Sequence, residues 1–225
     1  MIVAAALLPH PPLLLREVSG AADPAADLRT ACLRAVSATL GTGPDVVHLV
    51  GADGPPVTPA SFAPSPVIKE PRRDQGRCAR PLSLLVGHRV LDQAGWSGPV
   101  ADHPVAHDAS AADCARLGAQ LAARDERAAL LVLGDGSARR GPKAPGYVDE
   151  RAQPFDAEVL EALGTADGER LGALDAVAAA ELLAAGRPAW QVLAGALPAL
   201  GVPAGEVLYA DDPFGVAYVV CTYRP

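Results

Sequence analysis

Lysine is nearly absent from this chain. Of its 19 basic residues only Lys69 and Lys143 are lysines, and the arginines are scattered without forming a patch. With a formal net charge of -7 and an isoelectric point near 5.2, no basic face is available to displace counterions from phosphates, which excludes a nucleic-acid partner. Cysteine pairs at metal or redox spacing are also missing. Cys32, Cys78, Cys114 and Cys221 lie far apart, mostly in apolar periodic stretches, so buried free thiols in a reducing cytoplasm are expected. No run is long and apolar enough to span a bilayer. The apolar opening, residues 1–8, has no basic flank and is interrupted by Pro9-His10-Pro11-Pro12, so it reads as a strand and not as a signal peptide. Two catalytic signatures are lacking as well. There is no Gly-x-Ser-x-Gly elbow, Ser137 has no evident base in its local sequence, and no Gly-x-Gly-x-x-Gly or phosphate loop follows a strand.

What is present is a 225-residue chain, half hydrophobic, which suffices for one core and a single domain over residues 1–225. Residues 2–8 are short, apolar and closed by prolines, as a strand buried on both faces should be. Asp23-Pro24 has the form of a helix N-cap with proline at the first helical position, and Leu28, Cys32, Leu33, Val36 and Leu40 recur at helical spacing up to Gly41. Strands are expected at 45–50, 99–105, 128–133, 206–209 and 215–223. Helices are expected at 81–96, after Asp108 or Ser110, and at 154–163, 169–185 and 188–200. The segment 55–80 is rich in proline and charge without periodicity and reads as a long loop. The alternation predicts a three-layer α/β/α fold with a mostly parallel central sheet, closed by an antiparallel pair at or near one edge.

In open sheets of this class ligands bind beyond the carboxyl ends of the strands. That rule singles out His10 after the first strand, Asp53 after the second, Asp102, His103 and His107 at the third, Asp135 after the fourth, and Asp211 with Asp212 after the fifth. The imidazole of His103 or of His107 is suited to shuttling protons near neutrality. Aspartates in Asp-Gly turns, as at Asp53 and Asp135, often bond only their own backbone. His48, inside a strand, reads as a core histidine and His88 as structural or solvated. Arg139, Arg140 and Lys143 form either an anion-holding cluster or a solvated loop face.

These residues carry a resemblance. Ala6-Leu-Leu-Pro-His10-Pro-Pro resembles the first metal-binding segment of the class III extradiol ring-cleavage dioxygenase superfamily, which includes the Memo proteins. Asp102-His103, Leu133-Gly-Asp-Gly-Ser137, Phe155-Asp156 and Gly215-Val-Ala-Tyr-Val219 are similar to later segments of that family, so the likeness runs from residue 2 to about 223. It implies a ring-cleaving oxidoreductase acting on a small catecholic molecule, with Fe(II) held by two histidines and a carboxylate. His10 matches the first ligand, Asp53 stands where the second histidine is expected, and Asp211 or Asp212 falls near the carboxylate position, Asp212 being preferred. A further family histidine is replaced by Ala138, leaving proton transfer to His103 or His107 with Asp135. One histidine with two aspartates also suits Mn²⁺, Mg²⁺ or Zn²⁺, or a relative that keeps the fold without metal and serves as a binding or scaffold protein. A third option is a hydrolase or lyase with His103 and Asp135 as acid and base. The expected partner is a small molecule, with neither nucleic acid nor membrane, and a homo-oligomer is compatible with the sequence.

Overall fold

The computed structural model describes residues 1–62, 79–142 and 144–224. Among them six strands form one sheet: β1 (Ile2–Leu8), β2 (Val46–Ala52), β3 (Val100–Val105), β4 (Ala128–Leu133), β5 (Glu206–Asp211) and β6 (Tyr218–Tyr223), in the order β3-β2-β4-β1-β6-β5. β1 pairs parallel with β4, and β2 parallel with both β4 and β3. β6 runs antiparallel to β1 and to β5, so β5 points the same way as the first four strands. Five carboxyl ends therefore open on one edge of the sheet, and β6 begins at that edge because Tyr218 pairs with Asp211.

Period-two alternation divides the core between two faces. Leu7, Val50, Leu130 and Val132 point to one face, where they pack with α4 (Ala111–Ala122), α5 (Ala152–Gly164), α6 (Gly168–Gly172) and α8 (Arg187–Leu200). Leu8, Leu49, Leu131, Leu133 and Val220 point to the other, against α2 (Ala26–Leu40) and α3 (Leu82–Gln93). The short α1 (Arg16–Ser19) follows β1, and α7 (Ala176–Glu181) lies between α6 and α8. This is the three-layer α/β/α arrangement anticipated from the alternation, with the antiparallel pair at one edge.

Two local expectations are corrected. Asp23 does not cap α2, which begins at Ala26. Its carboxylate is drawn away to Arg29, at 2.8 Å, and its backbone has a positive φ of 33°. The helix expected over 169–185 is broken in two, because the Asp175 side chain accepts the amides of Val177 and Ala178 and so starts α7 afresh. Cys32, Cys114 and Cys221 are buried free thiols. Cys78, Lys69, Lys143 and most of the long loop lie outside the described residues. No helix among the described residues is long and apolar enough to cross a membrane.

Candidate functional site

Prolines at 9, 11 and 12 leave β1 unable to continue its ladder, and the chain turns off the sheet at its carboxyl edge. The last rung there is Gly134 N–H to the Leu8 carbonyl at 2.9 Å. One alternation further, His10 and Asp135 are side by side. The His10 backbone N–H donates to Asp135 Oδ1 at 2.7 Å, and imidazole Nδ1 lies 3.4 Å from the same oxygen. His10 is 7 % exposed, and its Nδ1 is buried without a hydrogen-bond partner among the described residues. The peptide carbonyl of Asp135 accepts Gly186 N–H at 2.8 Å, which fixes this backbone to the start of α8. Burial pushes the Asp135 carboxyl above the usual carboxylate range, and the neighbouring His10 opposes the shift.

Where β1 departs, the loop after β4 closes onto the approach to β6. Gly136 N–H donates to Ala217 O at 2.8 Å and Ala217 N–H to Ser137 O at 3.0 Å. Continuing that antiparallel pairing by one step sets Tyr218 beside Asp135. Tyr218 is buried, and its phenol is pushed up by burial first and then by the charge of Asp135. Phe214 meets its ring edge-to-face, with centroids 6.3 Å apart.

A second polar group sits in the same loop. Ser137 is fully buried, with its N–H on Asp156 Oδ1 at 2.9 Å and its hydroxyl on Oδ2 at 2.5 Å. Arg140 bridges Asp156, at 3.6 Å, and Asp212, at 2.7 Å. Burial raises the Asp156 carboxyl, while the Ser137 bonds and Arg140 act against it. A buried hydroxyl engaged in this way has no approach for an external electrophile, and Arg140 is committed to carboxylates of its own chain.

The remaining residues singled out in the sequence do not join His10 and Asp135. Asp53 is exposed, and its Oδ1 accepts the neighbouring Gly54 N–H at 2.8 Å. Asp212 is paired with Arg140, while Asp211 is exposed and accepts Asp212 N–H at 2.8 Å. His107 is exposed, and its carbonyl accepts Arg187 Nη2 at 2.5 Å. Asp102 and His103 alternate to opposite faces of β3. Asp102 meets His88 of α3 at 2.7 Å, whereas His103 Nε2 lies 3.0 Å from Nδ1 of the fully buried His48. His48 Nε2 is in turn 3.0 Å from Glu126, just before β4 at the opposite edge of the sheet. Burial lowers both of these imidazoles below their ordinary range. His103 thus belongs to a different centre from Asp135, for the simple reason of strand parity.

The expected iron set of His10, Asp53 and Asp212 accordingly does not converge. Among the described residues no three His, Cys, Asp or Glu side chains gather so as to hold a metal ion. One carboxylate is spent on its own turn and the other on Arg140, so the residues present do not fit an iron centre with two histidines and a carboxylate.

No protein-family model matches the chain, and no curated protein matches it. Among solved structures, the chain is similar to the uncharacterized protein JW3007 from Escherichia coli K12. The TM-score is 0.51 at 18 % identity, over 98 % of this chain and 99 % of the other. That likeness shows a shared fold over the whole length.

Missed from sequence were Tyr218 and the ion pairing of Asp212. Tyr218 opens the last strand, and a polar residue at the edge-facing start of an antiparallel strand was the available signal. The partner of Asp212 lies 72 residues away along the chain and had no local signature.

Proposed function

We propose that the chain is an extradiol-dioxygenase-like protein that binds a small hydroxylated molecule at the carboxyl edge of its sheet, with His10 and Asp135 as the anchoring pair. The observation that carries this reading is the His10–Asp135 contact. A buried imidazole nitrogen, His10 Nδ1, without a hydrogen-bond partner among the described residues stands against a carboxyl whose protonated form is favoured by burial. Such a pair can accept from, and donate to, one ligand hydroxyl, and can exchange a proton with it.

Anaerobic calorimetric titration with catechol tests the proposal. Wild-type protein is expected to bind at one site, and His10→Ala to lose most of that affinity while remaining folded. Absence of binding to the wild type, or equal binding by the variant, would overturn it.

A further inference from the structure

We propose that Tyr218 is a ligand-contacting residue of this same site, its hydroxyl donating to an oxygen acceptor on the bound molecule beside His10 and Asp135. The proposal rests on the reading of the His10–Asp135 pair as a binding site and adds to it a third contact, together with a demand on the ligand.

Three placements support it. Tyr218 is the first residue of β6, at the edge where His10 and Asp135 emerge, and it falls next to Asp135 once the Gly136–Ala217 and Ser137–Ala217 bonds are carried forward by one residue. Alternation sends its side chain to the α2 and α3 face, and the charge of Asp135 acts both on Tyr218 and on Cys32 of α2. Its ring is 4 % exposed and held edge-to-face by Phe214, which fixes where the phenol can reach.

Tyr223, five residues along the same strand, provides the comparison. It too is buried, and it is satisfied structurally: its hydroxyl donates to the Leu163 carbonyl at 3.0 Å. The Tyr218 hydroxyl, by contrast, makes no hydrogen bond to the described residues, and its oxygen is not one of the fully buried atoms left unpaired among them. It also stays protonated across the physiological range, since burial and the Asp135 charge both oppose ionisation. It therefore offers a donor beside the proton-exchanging pair of Asp135 and His10. The ligand this polarity selects carries an acceptor oxygen, as a carbonyl, ether or hydroxyl, and a separate exchangeable hydroxyl.

The test compares Tyr218→Phe, Tyr223→Phe and His10→Ala in catechol titration and thermal melting. Tyr218→Phe is expected to bind catechol about 10-fold more weakly, with a melting temperature equal to or above that of the wild type. Tyr223→Phe is expected to melt lower and to bind normally. If His10→Ala loses binding but Tyr218→Phe does not, the inference fails and the binding site stands. If Tyr218→Phe melts lower, as Tyr223→Phe does, and binds as wild type, the phenol is structural and the inference is overturned. If wild type does not bind catechol, the reading of the pair and this inference fall together.

Discussion

The imidazoles show how far a residue's chemistry depends on the side of a strand it occupies. A place inside a strand predicts a core histidine at position 48, and the structure buries His48 with both ring nitrogens partnered. Its tautomer follows from those partners. The Glu126 carboxylate only accepts, so His48 Nε2 donates to it, Nδ1 accepts, and His103 Nε2 must be the donor. Because burial lowers both histidines below their unfolded value near 6.5, the unfolded chain binds more protons as the pH falls through that value. The stability they contribute is complete above about pH 6.5 and drains away as the pH falls toward their folded values. His103→Asn should therefore lose less stability than wild type between pH 7.5 and 5.5, read as the shift in urea midpoint. Equal shifts would sink the assignment. Asp135 has the opposite sign. Its folded carboxyl titrates above the unfolded one, so ionised Asp135 costs stability once the pH exceeds its folded value. Asp135→Asn keeps the acceptor for His10 N–H and should melt above wild type at pH 7.5, with the two converging as the pH approaches 4. A lower melting temperature at pH 7.5 would show that the charge stabilises the fold.

At the scale of elements, periodicity locates strands and helices well, and the first strand and the strand at 128–133 match the structure to the residue. It does not reveal how closely two helices approach. α4 and α8 cross with glycines in each other's path: a Cβ on Gly118 would fall 1.9 Å from the Val192 carbonyl oxygen, and one on Gly195 2.1 Å from that of Ala115. Backbone cannot yield as a side-chain tip can, so Gly118→Ala and Gly195→Ala should each cost about 1–3 kcal/mol or more in urea unfolding. A change within about 0.5 kcal/mol, the usual range for surface substitutions, would mean that the helices separate freely. The same helix carries Arg187, 2 % exposed, which donates to the carbonyls of His107 and Ala109 and to Gln191 Oε1. It staples the loop after β3 to α8. Removing it in Arg187→Ala leaves three acceptors unpaired and is expected to cost about 3 kcal/mol, measured the same way. None of this is legible in the sequence, because an isolated glycine or arginine carries no mark of its partner.

For the whole molecule, the rule that ligands gather past the strand ends correctly brings His10 and Asp135 together, since both follow neighbouring parallel strands. It fails for His103, because strand order and side-chain parity are tertiary facts. With the order β3-β2-β4-β1, His103 and His10 are three strands apart, about 14 Å at the usual spacing, and point to opposite faces. Sites so separated act additively. The double variant His10→Ala, His103→Ala should thus show the sum of the two single effects on urea unfolding within about 0.5 kcal/mol, and His103→Ala alone should leave catechol binding unchanged. His10→Ala with Asp135→Asn should be strongly non-additive in binding, because each removes half of one contact. If His103 instead coupled to His10 as strongly as Asp135 does, the two faces of the sheet would share one centre, and the separation of the buried histidine chain from the ligand edge would be wrong.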